Sequence, residues 1–580
     1  MLEKINEPKD LKHLSIEEMQ TLAEEMRAAI IKRVNTTGGH LGPNLGFIEP
    51  TIALHYVFNS PTDKFVFDVS HQCYPHKMLT RRKAAFTDPD KYHTFSGFTN
   101  PAESKHDTFF IGHTSTAPSL AVGLAKARDL KGEKYNVVAI LGDGSLSGGE
   151  ALEGLDNAAE LDSNYILILN DNEMSIAPNY GGIYKNLALL RQTRGQAENN
   201  IFKAMGFEYM YLEQGNDIAA LIDAFKKVKD SKHPVVLHIH TLKGKGCKPA
   251  EENKEFFHYM GPGALDNKPT EYAPSYISLT VDYLLKKQQT EPTLCVISPG
   301  TPGAYGLTPD VRAKLGKNYT DVGIAEEHAV AYASALARAG AKPVLNVLSS
   351  FIQRTYDQLS QDLALNNSPA TLLIHYGAIG PDNVTHAGLY DIPLICNIPN
   401  MVYLAPTNAE EYIAMLEWSL KQTAHPVAIR VPFTEMRHAE KPVQTDYSDL
   451  NKYEAVRHGK QVAIIAAGNF FGLGEAVCAE MEKTLGISPT LINPRYLTGV
   501  DSDLLNELKQ DHQIVLTLED GVIDGGFGEK IARYFGPSNV KVLCYGADKV
   551  FADRVPLDEL YARYHLTPQL ITADVKKLLK

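Results

Sequence analysis

The chain is poor in cysteine, contains no long apolar run and carries no excess of positive charge. Its six cysteines among 580 residues form no C-x-x-C pair, so neither a zinc knuckle nor a disulfide framework is indicated. No apolar run approaches the roughly 18 residues of a transmembrane helix, and we expect no membrane span. The net charge of −12 argues against a nucleic-acid partner. The polar, acidic start of the chain is unlike a signal peptide, so we expect a cytoplasmic protein.

The remaining composition is that of a globular protein with a large core. Hydrophobic residues make up 44% of the chain and charged residues 22%, and the length suffices for roughly three or four domains. Short apolar runs alternate with segments of helical periodicity, which predicts an α/β fold with mostly parallel sheets. Two stretches rich in proline or charge, residues 260–291 and 437–453, resemble linkers. The predicted domains are residues 1–265, 290–440 and 455–580.

One βαβ unit is especially regular. The apolar runs Asn136–Leu141 and Tyr165–Leu169 are predicted as buried parallel strands, and Gly149–Leu161 between them has helical periodicity. A polar triplet follows each strand, Gly142-Asp143-Gly144 after the first and Asn170-Asp171-Asn172 after the second. Because the carboxyl ends of neighbouring parallel strands meet at one edge of a sheet, we expect the two triplets to lie close together.

The two triplets together predict a magnesium-diphosphate site. An Asp-Gly pair after a strand is usually only a turn, and the first triplet alone favours that interpretation. With the second triplet beside it, Asp143 and Asn172 each offer an oxygen, and the backbone carbonyl of Met174 offers a third. A magnesium ion with so few protein ligands takes its remaining oxygens from phosphates and water. The glycines would let backbone N–H groups approach those phosphates.

The spacing of the triplets, with 25 residues between them, resembles the diphosphate and magnesium motif of thiamine-diphosphate enzymes. Over nearly its whole length the chain is similar to the 1-deoxy-D-xylulose-5-phosphate synthase family. The segments that carry this resemblance are, in chain order, Gly39-His40, DVSHQCYPHK (68–77), GHTST (112–116), NDNEMSI (170–176), LKGKG (242–246), AEEHAV (325–330), SFIQRTYDQ (350–358), THAG (385–388) and EDG (519–521). The resemblance implies transketolase-like diphosphate-binding, pyrimidine-binding and C-terminal domains. It also implies a homodimer with thiamine diphosphate and Mg2+ bound between the first two domains.

The resemblance assigns the activation of the cofactor to Glu326. A carboxyl group that protonates the aminopyrimidine ring must keep or share a proton near neutral pH, which requires a raised pKa in a poorly hydrated site. The segment Ile324-Ala325-Glu326, between a predicted strand and a predicted helix, fits a glutamate at a domain boundary. The alternative is an ordinary glutamate at a helix start, where the helix dipole favours it.

The resemblance also places other residues around the cofactor and the substrates. Those implied to bind the cofactor are His71, His113, Ser115, Gly142, Asp143, Gly144, Ser145, Asn172, Lys243, Glu326, Phe351 and Arg354. Those implied to act in catalysis are Glu326, His40, His71 and His386. Substrate contacts are expected from His258, Arg354, His375, Asp382, His386 and Arg430. Plainer alternatives remain, since single histidines are more often structural, exposed lysines are common and Phe351 fits an ordinary core.

Three positions depart from the family pattern in the expected acceptor site. His375 stands where the family has an arginine that helps to hold the acceptor's phosphate, Leu348 where it has a tyrosine, and Phe433 within its Y-P-R-G segment. Histidine in place of a bidentate arginine removes a permanent charge and a fork of donors. Our hypothesis is that the acceptor is not simply glyceraldehyde 3-phosphate, or that it is bound more weakly.

The activity implied by the resemblance is a decarboxylative condensation of pyruvate with an aldehyde. Glyceraldehyde 3-phosphate is the expected acceptor, and the product would be 1-deoxy-D-xylulose 5-phosphate, a precursor of isoprenoids, thiamine and pyridoxal. Such an enzyme is a transferase of aldehyde or ketone residues. The alternatives are a transketolase, a synthase paralogue with a different aldehyde, a 2-oxo-acid dehydrogenase component and a non-catalytic paralogue that binds the cofactor.

Overall fold

The computed structural model describes residues 1–266, 274–381 and 383–579. The chain divides into two units. The first unit is Met1–Glu271 with Gly323–Ala325, and the second is Tyr272–Val322 with Glu326–Lys580. In the described part of the chain, the first unit holds one sheet of at least five strands and the second holds two.

The sheet of the first unit is parallel, with the strand order β1-β2-β3-β5-β4. Its strands are β1 (Lys64–Phe67), β2 (Val137–Gly142), β3 (Tyr165–Asp171), β4 (Glu208–Leu212) and β5 (Pro234–His240). The interior strands β2 and β3 are apolar runs buried on both faces, as a parallel sheet covered by helices requires.

Helices cover both faces of this sheet. They are α1 (Ile16–Thr37), α2 (Gly42–Leu45), α3 (Ile48–Val57), α4 (Tyr74–Lys77), α5 (Ala84–Thr87), α6 (Ala117–Lys131), α7 (Gly149–Ala159), α8 (Gly182–Gln192), α9 (Ile201–Met205), α10 (Ile218–Val228) and α11 (Lys248–Glu252). Alternate strand residues point to opposite faces. Accordingly, Val138 and Ile140 pack with α1, α3 and α10, whereas Val137 and Ala139 pack with α6, α7 and α8.

The second unit contains a six-stranded parallel sheet and a five-stranded sheet. The first has the order β10-β11-β9-β8-β6-β7, with β6 (Leu294–Ser298), β7 (Tyr319–Asp321), β8 (Lys342–Leu348), β9 (Thr371–His375), β10 (Val402–Leu404) and β11 (Val427–Arg430). The other has the order β12-β14-β13-β15-β16, with β12 (Glu454–Arg457), β13 (Gln461–Ala466), β14 (Thr490–Asn493), β15 (His512–Val522) and β16 (Lys541–Ala547). Only the pairing of β12 with β14 is antiparallel among the strand pairs of the described residues.

Helices pack on both of these sheets. They are α12 (Tyr276–Lys287), α13 (Pro309–Leu315), α14 (Glu326–Arg338), α15 (Asp391–Cys396), α16 (Ala409–Lys421), α17 (Phe471–Leu485), α18 (Ser502–Asp511), α19 (Phe527–Phe535), α20 (Leu557–Arg563) and α21 (Pro568–Leu578). The expected linker 260–291 is wrong where it overlaps α12, which Ser275 caps and whose Tyr276 and Leu284 are core residues. Its residues 267–273 lie outside the described part of the chain.

Three mostly parallel sheets confirm the predicted α/β class. The predicted βαβ unit is also confirmed, since β2, α7 and β3 begin and end within two residues of the expected positions. The predicted domain limits stay predictions. Across the described ranges, no helix is both long enough and apolar enough to cross a membrane.

Candidate functional site

Asp143 and Asn172 follow adjacent parallel strands. Gly142, the last residue of β2, pairs with Asn170 of β3, so the two triplets meet at one edge of the sheet. The carboxyl group of Asp143 is buried, and its Oδ2 accepts a hydrogen bond from the backbone N–H of Met174 at 3.1 Å. Met174 therefore meets Asp143 through its N–H group, and the role of its carbonyl as a metal ligand stays a prediction.

The oxygen Oδ1 of Asn172 is buried and has no hydrogen-bond partner. A buried polar atom without a partner costs about 1–3 kcal/mol, and a bound cation would remove that cost. One carboxylate and one amide oxygen are hard donors that suit Mg2+ when phosphate and water complete its shell. In the described residues, no group of three or more His, Cys, Asp or Glu side chains could hold a metal. Asp143 and Asn172 thus fit a magnesium ion that is shared with a diphosphate.

Asp171, the middle residue of the second triplet, is occupied elsewhere. Its Oδ2 accepts a hydrogen bond from Arg191 at 2.5 Å and lies 2.9 Å from Nε2 of His238. Burial alone would raise the pKa of Asp171, but the hydrogen bond with His238 and the charge of Arg191 lower it to about 2. Asp171 is therefore a charged residue committed to Arg191 and His238.

Burial raises the pKa of Asp143 to about 8, and the nearby charge of Asp171 adds to this effect. The hydrogen bond from the Asn179 side chain, at 2.7 Å, and the charge of Lys243 oppose it only in part. A divalent cation beside the carboxyl group would favour the ionised form. Asp143 is thus buried and not an exposed turn residue, and its role as a metal ligand stays a prediction.

A tight loop contact joins Ser115 and Ser145. The hydroxyl group of Ser115 donates to the carbonyl of Ser145 at 2.9 Å, and Ser115 has a φ of 74°, a strained conformation for a non-glycine residue. A Cβ atom on Gly148 would collide with the Ser115 hydroxyl, so glycine is required there. Asp68, directly after β1, accepts from the N–H groups of Ser115 and Ala117 at 3.0 Å each. Our sequence reasoning missed Asp68, although an acidic residue at a strand end was a usable signal.

The glycines of the first triplet differ in how closely they are packed. A Cβ atom on Gly144 would lie 2.6 Å from Oγ of Ser175, whereas a Cβ atom on Gly142 would meet nothing within 4 Å. The close packing against Ser175 therefore requires a glycine at Gly144, whereas Gly142 has room for a side chain. His113, another predicted cofactor residue, is half-buried in the loop before Ser115.

Three predicted site histidines form one cluster in the first unit. The ring centroid of His40 lies 5.1 Å from that of His71 and 5.6 Å from that of His258, and the rings of His71 and His258 are 5.2 Å apart. The rings of Phe98 and Tyr259 lie 5.9 and 5.0 Å from His40. The fold thus brings together imidazoles from three separate segments of the chain beside aromatic side chains.

Lys243 connects the histidine cluster with the loop after β3. Its Nζ lies 3.0 Å from Nδ1 of His258 and donates to the carbonyl of Ser175 at 2.5 Å. Burial lowers the pKa of Lys243 to about 7. Burial, together with the charge of Lys243, lowers the pKa of His258 well below its usual value, so His258 is a neutral imidazole.

Asn44 holds the loops of two of these histidines together, and our sequence reasoning missed it. The side chain is fully buried, and its Nδ2 donates to the backbone carbonyls of His40 and His71 at 2.8 Å each. Its Oδ1 accepts from the N–H of Tyr74 at 2.9 Å. Since these bonds join separate segments, no local pattern in the sequence distinguishes Asn44.

Glu326 is the first residue of α14, in the second unit, and is only 3% exposed. Burial raises the pKa of Glu326 to about 7, and the charge of Arg354 offsets this only in part. The oxygen Oε2 of Glu326 is buried and accepts no hydrogen bond. A carboxyl group that is half protonated at neutral pH suits the role expected of it. An ordinary glutamate at a helix start would be exposed and ionised.

Phe351 and His386 lie on segments that follow strands of the six-stranded sheet. Their ring centroids are 5.6 Å apart, with the rings edge to face. Phe351 is half-buried at the margin of an apolar core, and Nδ1 of His386 lies 2.8 Å from Oγ1 of Thr385. The structure therefore brings these two predicted residues together.

His375 points into the second unit and not towards an open surface. It is the last residue of β9 and is buried, with Nε2 at 3.1 Å from Oδ1 of Asn346 and its ring 4.9 Å from that of Tyr305. Burial lowers the pKa of His375 to about 3, which keeps the ring neutral. The geometry does not support the substrate contact predicted for His375.

Arg430 is buried and committed to acidic partners. Its guanidinium group donates to both carboxylate oxygens of Asp391, at 2.8 and 3.3 Å, and to the backbone carbonyl of Asp520 at 2.7 Å. A Cβ atom on Gly377 would lie 2.7 Å from Nε of Arg430, so the loop after β9 packs directly on it. The geometry gives Arg430 a structural role in place of the predicted substrate contact. Asp382, another predicted substrate residue, lies outside the described residues.

Models of known protein families match most of the chain. A sequence model for 1-deoxy-D-xylulose-5-phosphate synthase matches residues 2–200 and 189–241. Models for the transketolase pyrimidine-binding domain and the transketolase C-terminal domain match residues 282–438 and 451–571. The chain is thus an enzyme of the transketolase-like class, a class that implies thiamine diphosphate with Mg2+ as cofactor.

Known 1-deoxy-D-xylulose-5-phosphate synthases resemble the chain over its full length. The synthase of Brevibacillus brevis is 35% identical over 100% of this chain and 98% of its own, and that of Dictyoglomus thermophilum is 38% identical over 100% and 99%. A transketolase structure from Pichia stipitis is 15% identical over 97% of both chains, with a TM-score of 0.46. The chain belongs to the 1-deoxy-D-xylulose-5-phosphate synthase family, as the motifs predicted.

Proposed function

We propose that this chain condenses pyruvate with glyceraldehyde 3-phosphate, with loss of CO2, to form 1-deoxy-D-xylulose 5-phosphate. The observation that carries the proposal is the full-length likeness to synthases of that name. The donor set of Asp143 and Asn172 and the buried carboxyl group of Glu326 support it. Thiamine diphosphate, when bound with Mg2+, supplies the nucleophilic carbon and the electron sink for decarboxylation.

The residues of the first unit would hold the charged end of the cofactor. Asp143 and Asn172 would supply two oxygens to the metal ion, with the carbonyl of Met174 as a third. Gly142, beside whose backbone no atom lies within 4 Å of a Cβ position, would let phosphate oxygens approach the chain after β2. Lys243 is buried, and a phosphate anion beside it would stabilise the charged ammonium group.

Glu326 would hold a proton at the aminopyrimidine ring of the cofactor. Its pKa of about 7 leaves both protonation states accessible at neutral pH, which suits a group that shares a proton with a ring nitrogen. The buried position excludes water, which would otherwise stabilise the carboxylate. Phe351 and Arg354 would flank the same ring.

The histidines of both units would move substrate protons. His40 and His71 lie in one cluster with His258, and we assign proton transfer to these two, since an imidazole accepts a proton and returns it in acid–base catalysis. We assign His386 the same kind of role in the second unit. Burial and the charge of Lys243 lower the pKa of His258, so His258 would contact the substrate as a neutral ring and not as a base.

The alternative activities are less well supported. A transketolase would take two carbons from a ketose without decarboxylation, a 2-oxo-acid dehydrogenase component would need a lipoyl partner, and a non-catalytic paralogue would not turn over. The likeness to named synthases favours none of these. A synthase paralogue that prefers a different aldehyde also remains less favoured than one that uses glyceraldehyde 3-phosphate.

The test is to incubate the full chain with thiamine diphosphate, Mg2+, carboxyl-labelled pyruvate and glyceraldehyde 3-phosphate. We expect labelled CO2 and 1-deoxy-D-xylulose 5-phosphate in equal amounts. Product formation from a ketose phosphate in place of pyruvate would indicate a transketolase, and absence of both activities would contradict the proposal.

The family likeness also supports a homodimer, which sedimentation of the purified chain would test. The cytoplasmic location expected from the sequence stays a prediction, and cell fractionation would test it. Pyruvate and an aldehyde are the small-molecule partners of the proposed reaction.

A further inference from the structure

Two aromatic side chains are exposed at strand ends of the six-stranded sheet. Tyr376 directly follows β9, and Phe433 lies three residues after the end of β11. The two residues are 36% and 47% exposed, and their ring centroids are 4.8 Å apart. Because β9 and β11 are neighbouring parallel strands, the rings form one patch at the edge where α/β folds bind ligands. We call Tyr376 and Phe433 the aromatic pair.

The aromatic pair adjoins the loop that carries His386. The N–H of Ala378 donates to the carbonyl of Gly388 at 3.0 Å, and a Cβ atom on Gly388 would collide with the carbonyl oxygen of Tyr376. The segment after β9 is therefore in direct backbone contact with the segment after His386. The pair is thus connected by backbone contact to the loop of His386, whose ring lies 5.6 Å from that of Phe351.

The backbone and the hydroxyl group of Tyr376 fix the position of its ring. Tyr376 has a φ of 57°, a conformation that is costly for a bulky residue and persists where its surroundings impose it. Its hydroxyl group donates to the carbonyl of Ala304 at 3.4 Å. A ring held in this way offers an apolar face with little loss of side-chain entropy on binding.

Arg430, which packs on Gly377 beside Tyr376, supplies no uncompensated positive charge to the aromatic pair. Arg430 is paired with Asp391 and donates to the backbone of Asp520. Asn469 accepts from the N–H of Phe433 at 3.0 Å and donates to the Asp520 carboxyl group at 2.7 Å. A bound anion would therefore meet an arginine that is already neutralised and a buried carboxyl group, whereas an apolar group would meet two aromatic rings.

We propose that the aromatic pair receives the side group of an uncharged aldehyde, so that the enzyme also condenses pyruvate with aromatic or apolar aldehydes. This inference rests on the proposed function, because the carbon donor is the same. The bond between C1 and C2 of pyruvate breaks and releases CO2, and its electron pair forms the new bond from C2 to the aldehyde carbon. The aldehyde oxygen takes up a proton. The product is an α-hydroxy methyl ketone, and the balance needs no oxidant or reductant.

The test compares benzaldehyde with D-glyceraldehyde as acceptors for the full chain with thiamine diphosphate, Mg2+ and pyruvate. We expect a kcat/KM for benzaldehyde that is about tenfold higher, equivalent to ~1.4 kcal/mol of binding. Phe433→Ala and Tyr376→Ala should each lower the benzaldehyde value by about tenfold and leave the D-glyceraldehyde value within about twofold. Phe433→Leu, which keeps an apolar side chain, should restore part of the loss.

Leu365→Ala is the control, since Leu365 is a 69% exposed apolar residue that precedes β9, at the opposite end of that strand from Tyr376. It should leave both acceptors unchanged. Equal kcat/KM values for benzaldehyde and D-glyceraldehyde would overturn the inference. So would a Phe433→Ala variant in which kcat/KM falls by the same factor for both aldehydes. Turnover of glyceraldehyde 3-phosphate without any benzaldehyde product would overturn this inference alone. Failure with every acceptor, together with no release of CO2 from pyruvate, would overturn the proposed function as well.

Discussion

The carboxylate oxygen Oε2 of Glu326 lies 3.8 Å from a guanidinium nitrogen of Arg354, which is beyond hydrogen-bonding distance. Burial therefore outweighs the charge of Arg354 and keeps the pKa of Glu326 at about 7. A hydrogen-bonded arginine would have stabilised the carboxylate and lowered this pKa. The separation leaves a glutamate that takes up or releases a proton at neutral pH.

The first prediction concerns the stability of the chain without cofactor as a function of pH. Because folding raises the pKa of Glu326 from 4.5 to about 7, the native state binds more protons than the unfolded state between these values. The contribution of the Glu326 carboxyl group to the free energy of unfolding is therefore fully present below pH 4.5 and is lost as the pH rises through 7. Relative to wild type, Glu326→Gln should gain about 3 kcal/mol between pH 4.5 and pH 8.

Denaturant unfolding of both proteins at several pH values measures this difference. Glu327→Gln, at the next and half-exposed position of α14, is the matched control and should follow the wild-type profile closely, since the charge of Glu327 is the smallest of the effects on the pKa of Glu326. Parallel profiles for wild type and Glu326→Gln would show that Glu326 keeps an ordinary pKa.

The second prediction concerns the metal. Asn172→Leu removes a buried oxygen that has no partner in the protein, so the stability of the cofactor-free chain should not fall. The affinity for thiamine diphosphate with Mg2+ should fall by roughly 10–100-fold, as for other losses around a metal site. Titration calorimetry measures the affinity. Unchanged affinity would remove Asn172 from the set of metal ligands.

The third prediction concerns Asn44, which holds the loops of His40 and His71. Asn44→Ala leaves two buried carbonyls and one N–H without their partner, so we expect a loss of about 1–3 kcal/mol in stability. The value of kcat should fall by at least about tenfold, because misplaced catalytic groups slow proton transfer. The affinity for the cofactor with Mg2+ should stay near wild type. An equal loss of affinity and of kcat would indicate general disorder of the first unit.

The fourth prediction separates a structural role of Arg430 from a role in substrate binding. Arg430→Met leaves the buried Asp391 without its cation, which should cost about 3–5 kcal/mol. Asp391→Leu in the same chain should recover much of this loss, since it removes the unpaired charge. Unfolding experiments on the single and double variants test this. A stable Arg430→Met variant with a raised KM for the aldehyde would instead support the substrate contact that the sequence predicted for Arg430.

The sequence predicts the elements around β2 and β3 well, because their apolar runs are long, uninterrupted and followed by glycine or asparagine. The same local signals identify Asp143 and Asn172 as candidates, since each lies where a strand gives way to a loop, whereas Glu326 was identified through the family resemblance. Helix α12 was missed because the prolines before it suggested a linker, while the capping residue Ser275 lay among them.

The roles of other side chains depend on where they point and on partners that are distant in the sequence. Neither can be inferred from a single sequence. His375 and Arg430 have suitable side chains for a substrate, but the last residues of β9 and β11 point into the fold towards Asn346 and Asp391. Asp68 could have been found from its position after β1. Asn44 could not, because its three bonds join segments that the fold alone brings together.

The most direct test of the account is the rate of pyruvate decarboxylation by Glu326→Gln at saturating thiamine diphosphate and Mg2+. We predict a fall of at least about 100-fold, the size expected for loss of an acid–base group, with the cofactor still bound. A variant that binds the cofactor and decarboxylates pyruvate at the wild-type rate would contradict the central claim that Glu326 activates it.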